Sequence, residues 1–137
     1  MRFRRKRKTN KKVEWEKAQD IADRVGFLVK KVGLDTIDLP KLKFIRSKYS
    51  TTRSYARIWG LSRIWQIAAE LPPGYVIEVI SEYFDELSQN EKDKVLLHEL
   101  AHIPKNFTGS LLPHTRRGVG SFHDKLKRML SAYDKLV

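Results

Sequence analysis

Trp15, Ala18, Ile21, Ala22, Val25, Leu28, Val29 and Val32 recur at steps of three and four residues. That period predicts an amphipathic helix from near Val13, and Gly33 supplies a stop. The pattern then changes. Residues 41–48, just after Pro40, place Leu42, Phe44 and Arg46 on one face and read as a strand. Residues 50–54 (Ser-Thr-Thr-Arg-Ser) read as a loop. Across 56–69 the apolar positions Ile58, Trp59, Leu61, Ile64, Trp65 and Ile67 satisfy neither period cleanly. A strand pair, or a strand and a turn, is expected there. Leu71-Pro72-Pro73-Gly74 must turn, and the β-branched run over 75–81 predicts a strand.

Two helices close the chain. Ser88 and Glu91 form a capping box that opens a helix running to about Ile103, where Pro104 stops it. Ser121 with Asp124 resembles a second start, followed by Leu126, Met129, Leu130, Tyr133 and Leu136 at helical spacing. Helix, strands, helix, loop, helix is the order of an α+β domain.

Length and composition narrow the function classes. The 137 residues suit a single domain, and 41% hydrophobic residues suffice for one core. With no cysteine, disulfides, thiolate metal sites and cysteine nucleophiles are excluded, so any metal must be held by nitrogen and oxygen. The apolar runs are too short to span a bilayer, and Val13-Glu14-Trp15-Glu16-Lys17 stands where a signal peptide would need an apolar stretch. A cytoplasmic protein without membrane contact is expected. The net charge of +12 is unevenly spread: residues 1–12 hold eight basic groups and no acid, leaving 20 basic against 16 acidic residues in the body. The chain therefore divides into a disordered basic tail, 1–12, and a domain, 13–137. The tail suits non-specific contact with DNA or RNA, or it merely solubilises.

All four histidines lie between 98 and 123. Two of them form His98-Glu99-Leu100-Ala101-His102, an HExxH motif that chance would place in a chain of this length on the order of once in a few hundred sequences. Four residues of helix turn roughly 400°, so both imidazoles project from one face and can bind one Zn²⁺. Glu99 lies where it can reach a water at the metal rather than the metal itself. A core helix with two satisfied histidines is the bland alternative, and it leaves the adjacent Glu and the two downstream histidines unexplained.

For the third ligand, no Glu follows Glu99, and Lys105 and Thr108 stand where a longer HExxHxxGxxH motif would need Gly and His. Asp124 looks like a capping residue. His114, in the loop Leu111-Leu112-Pro113-His114, and His123, in the first turn of the last helix, both remain open on the residues alone.

His98 to Pro104 (His-Glu-Leu-Ala-His-Ile-Pro), with Gly109, Leu111-Leu112-Pro113-His114 and Phe122, resembles a metallopeptidase family of phages and archaea and, more distantly, the SprT-like zinc proteases. The resemblance covers most of the chain after the tail, including Tyr75-Val76-Ile77-Glu78-Val79-Ile80 and Phe84-Asp85-Glu86-Leu87-Ser88. It implies a zincin-like domain with a small sheet, an HExxH active-site helix and a C-terminal helix. It also implies zinc on His98, His102 and His114 and a catalytic Glu99. Thr115 stands where the SprT-like histidine is usually followed by Gly, and the spacing to Phe122 is longer.

Together these features predict a zinc metallopeptidase in which Glu99 is the general base for the attack of water on a peptide carbonyl. His123, Arg116, Arg117 and Tyr133 are candidates to hold the oxyanion, and the strand 75–81 is a candidate edge for an extended peptide substrate. Two rivals are a zinc-dependent nuclease or other hydrolase, and a non-catalytic zinc-stapled nucleic-acid-binding module. Glu99 argues against the staple, which needs no base.

Overall fold

A computed structural model describes residues 11–136. The basic tail falls almost wholly outside the described residues. Four strands form one sheet in the order β1-β2-β4-β3: β1 (Glu14–Lys17), β2 (Leu42–Lys48), β3 (Ala56–Gly60) and β4 (Tyr75–Ile80). β2 runs parallel to β4, while β1 and β3 pair antiparallel at the two edges. Helices α1 (Gln19–Val32), α4 (Gln89–Ala101) and α5 (Phe122–Asp134) pack together on one face, and α2 (Arg63–Ala68) and α3 (Ser81–Phe84) are short. The domain is α+β, as the order of elements predicts. Among the described residues no helix is long and apolar enough to cross a membrane.

The sheet has two chemically different faces. Leu42, Phe44, Ile58, Tyr75, Ile77 and Val79 point to the helices and merge with Ile21, Val25, Leu28, Leu96, Leu97, Leu100 and Phe122 in one core. The opposite face carries Trp15, Lys17, Lys43, Ile45, Arg57, Trp59, Val76 and Glu78. Glu78, 1% exposed, accepts from Arg57 Nε at 2.6 Å and from Trp59 Nε1 at 3.0 Å. Polar ties also lock the helices. The buried Asp93 of α4 accepts from Arg24 of α1 at 2.8 and 2.6 Å, from Gln89 at 2.8 Å and from the Tyr133 hydroxyl of α5 at 2.6 Å.

Three expectations need correction. Trp15 lies in a strand: Glu-Trp-Glu-Lys alternates, Trp15 pairs with Ser47, and the helix starts only after the buried Ala18, whose N–H donates to the Phe44 carbonyl at 3.2 Å. Residues 63–68 are helical rather than extended. Their one buried side chain is the polar Gln66, while Ile64, Trp65 and Ile67 face outward, so the apolar periodicity carries no helical signal. Finally, 75–81 offers no edge to a peptide, because β4 is paired on both sides. Among the described residues the edge strands of the sheet are β1 and β3.

Candidate metal centre

α4 starts as its sequence predicts. Ser88 Oγ accepts the Glu91 N–H and the Glu91 carboxylate accepts the Ser88 N–H, both at 3.2 Å. The helix buries Leu96, Leu97, Leu100 and Ala101, which leaves His98 and His102 on the neighbouring side, with ring centroids 5.4 Å apart. His102 closes the helix, and the chain folds back through 103–121 to deliver His114. Among the described residues His98, His102 and His114 are the one group of metal-ligating type that converges, with one ligand atom from each lying within 4.8 Å of the others. His98 Nε2 and His114 Nε2 are 3.3 Å apart. Two nitrogens bound to one tetrahedral zinc at 2.0–2.1 Å would be separated by ~3.3–3.4 Å, so the His98–His114 pair has the spacing such an ion needs.

The surroundings fix the rings. Leu112 clamps His102 twice: its N–H donates to the His102 carbonyl and its own carbonyl accepts from His102 Nδ1, each at 2.7 Å. That bond sets the tautomer and leaves Nε2 as the free lone pair. Phe122, 1% exposed, stacks on His102 at 4.2 Å and meets His98 and His114 edge-on at 4.8 and 4.6 Å, forming an apolar floor under all three rings.

The loop that carries Leu112 and His114 is itself pinned from the sheet. The Tyr75 hydroxyl accepts the Gly109 N–H and donates to the Ser110 carbonyl, both at 2.8 Å. Gln66 Nε2 donates to the Thr108 carbonyl at 2.9 Å and to the Leu61 carbonyl at 2.8 Å. Gly109, at φ +97°, passes so close to β3 that a Cβ on Gly60 would stand 1.9 Å from its carbonyl oxygen. Lys125 of α5 donates to the Ile103 carbonyl at the end of α4.

Burial, with help from the neighbouring imidazoles of His102, His114 and His123, depresses His98 to about 4. Burial also lowers His102, outweighing the Leu112 carbonyl. These two rings are therefore neutral at pH 7, the state that binds metal. Glu99 is 6% exposed, and no described residue hydrogen-bonds its carboxyl. Burial alone pushes it up to about 8, and a cation beside it would favour the carboxylate.

The other sequence candidates are placed elsewhere. His123 Nε2 donates to the His114 carbonyl at 2.6 Å, so it supports the third histidine of the cluster rather than joining it. Asp124 accepts the Gly120 N–H at 3.0 Å and pairs with Arg128 at 3.1 Å, the role of a helix-start residue. Tyr133 is 3% exposed with its hydroxyl on Asp93, which removes it from the oxyanion candidates. Arg116 and Arg117 are exposed. Tyr75 and Leu112 enter the sequence analysis only as parts of the resemblance and of the loop that holds His114, without a role at the site, and Gln66 does not enter it at all. A hydroxyl within the aliphatic run of β4 and a lone Gln between Trp65 and Ile67 were the available signals.

The family profile described as Putative phage metallopeptidase matches residues 13–136, and the chain belongs to that family. No curated protein and no solved structure matches it.

Proposed function

We propose that this protein is a zinc metallopeptidase whose metal is held by His98, His102 and His114 and whose general base is Glu99. The convergence of three imidazoles beside one buried carboxyl carries the reading, and the family supports it. Three protein ligands leave a coordination position open, as catalytic rather than structural zinc requires. Zinc bound there would supply a Lewis acid that polarises the scissile carbonyl and acidifies water. Glu99 takes the proton from the attacking water and returns it to the leaving amine, and its apolar surroundings keep it ready to hold that proton between the two steps. His102 is kept in the metal-binding tautomer by Leu112. An extended substrate could add to β3, which among the described residues is an edge strand and contacts α4. Residues 1–12 add eight cationic groups for weak, sequence-independent contact with DNA or RNA.

The test is the pair wild type and Glu99→Gln, with zinc counted by elemental analysis and hydrolysis followed on an unfolded protein substrate. One zinc per chain in both, and turnover only in the wild type, is expected. Undiminished turnover by the variant overturns the role of Glu99. Nuclease activity that requires Glu99, without proteolysis, moves the site to phosphodiesters.

A further inference from the structure

The sheet face turned away from the helices combines an exposed aromatic ring with a cleft lined by lysines. Trp59 stands there with 51% of its surface exposed, yet its indole is fixed: Nε1–H donates to the buried Glu78, and the Arg57 guanidinium lies 5.0 Å from the ring centre. Beside it opens a cleft of about 470 Å³ lined by Trp59, Leu61, Leu71, Pro72, Lys41 and Lys43, among others, with no acidic residue in its wall. Lys43 lies in register with Val76, and Val76 with Trp59, so one row across the sheet runs from ammonium to indole. The Lys43 ammonium also donates to the Pro40 carbonyl at 3.1 Å, and Lys41 pairs at 3.3 Å with the half-buried Asp38. Of the sheet residues on this face the only acid is Glu78, neutralised by Arg57. Towards the other edge the face continues through Lys17 to Trp15, 62% exposed, on the strand that directly follows the eight basic groups of residues 1–12.

We infer that this outer face binds single-stranded nucleic acid, with a base packed against Trp59 in the cleft and the flanking phosphates on Lys41 and Lys43. A rigid exposed indole serves any base, because every base has a π-face, and lysines spaced along a groove track the backbone. The charge matches a polyanion and gives an acidic wall nowhere to sit. Bases stacked in a duplex cannot reach the indole, so the site selects single strands. The site lies across the sheet from the histidines and does not rest on the peptidase reading.

The test uses the full chain and a labelled oligothymidylate of about 15 nucleotides, with binding read by fluorescence anisotropy over a salt series. The wild type should bind the single strand more tightly than a duplex of equal length. Trp59→Ala should weaken the single-strand complex about ten-fold or more and leave duplex affinity unchanged, and Trp59→Phe should restore most of the loss. Replacing Lys41 and Lys43 together by Gln should lower the salt slope by ~1.4. Glu99→Gln should bind as the wild type does. Circular dichroism and metal content confirm that each variant folds. Should Trp59→Ala fail to fold, the Lys41 and Lys43 double variant still decides: an unchanged salt slope on the single strand overturns the inference. Equal affinity of wild type and Trp59→Ala, or an equal loss on duplex, overturns the inference. So does Trp59-dependent binding to anionic phosphatidylglycerol vesicles without Trp59-dependent binding to the oligonucleotide.

Discussion

Replacing Tyr75 by Phe removes one oxygen atom from the core and should loosen the candidate metal centre. The ring is 2% exposed and keeps its edge-on contact with Phe107, at 4.9 Å between centroids, so the substitution opens no cavity. What disappears is a pair of hydrogen bonds, one accepted from Gly109 N–H and one donated to the Ser110 carbonyl. At about 1 kcal/mol each the cost is about 2 kcal/mol, nearer 3 if water reaches neither backbone group. It falls on the loop that presents Leu112 to His102 and His114 to His98. The metal-free Tm should drop by about 7 °C. Zinc affinity should fall by up to ~30-fold, the full factor appearing when the loop already stands open in the metal-free variant. Amide exchange reads the bond directly: Gly109 should be protected in the wild type and lose that protection in Tyr75→Phe. A variant with wild-type Gly109 protection, or with Tm and zinc affinity both unchanged, would refute the idea that the hydroxyl pins the loop.

Further outcomes follow from the same geometry. His98→Ala and His102→Ala should abolish stoichiometric zinc by elemental analysis and His114→Ala should weaken it strongly. His123→Ala, which loses only a bond to the His114 carbonyl, should retain one zinc per chain. Gly60→Ala drives a Cβ into the Gly109 carbonyl and should cost at least about 1–3 kcal/mol together with zinc affinity. Gly26→Ala, in α1 with nothing within 4 Å, should raise stability by up to ~1 kcal/mol in thermal unfolding. Burial would raise the Asp93 carboxyl, but bonds from Arg24, Tyr133 and Gln89 outweigh it and hold the group below its usual value. The unfolded chain therefore takes up this proton first as pH falls. The stability Asp93 contributes is complete above about pH 4 and is lost as pH drops through its lower folded value. Asp93→Asn should flatten the acid limb of Tm against pH and remove about 3 kcal/mol near neutrality.

The legible and illegible parts of this chain divide along a physical line. α1, α4 and α5 announce themselves because each buries an apolar stripe and each stops or starts on a local device: Gly33 at φ +79°, Ser88 with Glu91, Ser121 accepting from the Asp124 N–H. The HExxH pair is equally local, since helical spacing alone sets His98 and His102 on one side. α2 and β1 were misread for the complementary reason. α2 turns Ile64, Trp65 and Ile67 outward and buries Gln66, so hydropathy points the wrong way. β1 is four residues long, every one of them exposed, and exists only because β2 offers an edge to pair with.

The third histidine shows where local reading ends. The residues alone leave His114 and His123 open, and the family resemblance favours His114. In the folded chain both sit at the site, but a single bond orders them: His123 Nε2 points to the His114 backbone, and that same peptide presents the His114 ring to His98. The arrangement depends on Phe122 beneath the rings, on Leu112 gripping His102 from both sides, and on Tyr75 and Gln66 reaching from the sheet and α2. None of these contacts lies within a helical turn of the motif, and most are made to backbone atoms, which carry no side-chain identity for a sequence to display. A motif can fix two ligands because a helix does the positioning. The third needs a loop, and a loop is positioned by whatever distant donors and acceptors satisfy its backbone. Grafting His98–His102 onto another helix would accordingly bring a pair of imidazoles. Completing the set would also require the Tyr75 hydroxyl, the Gln66 amide and the side-chain-free passage of Gly60 past Gly109, three features whose purpose is visible only in the fold.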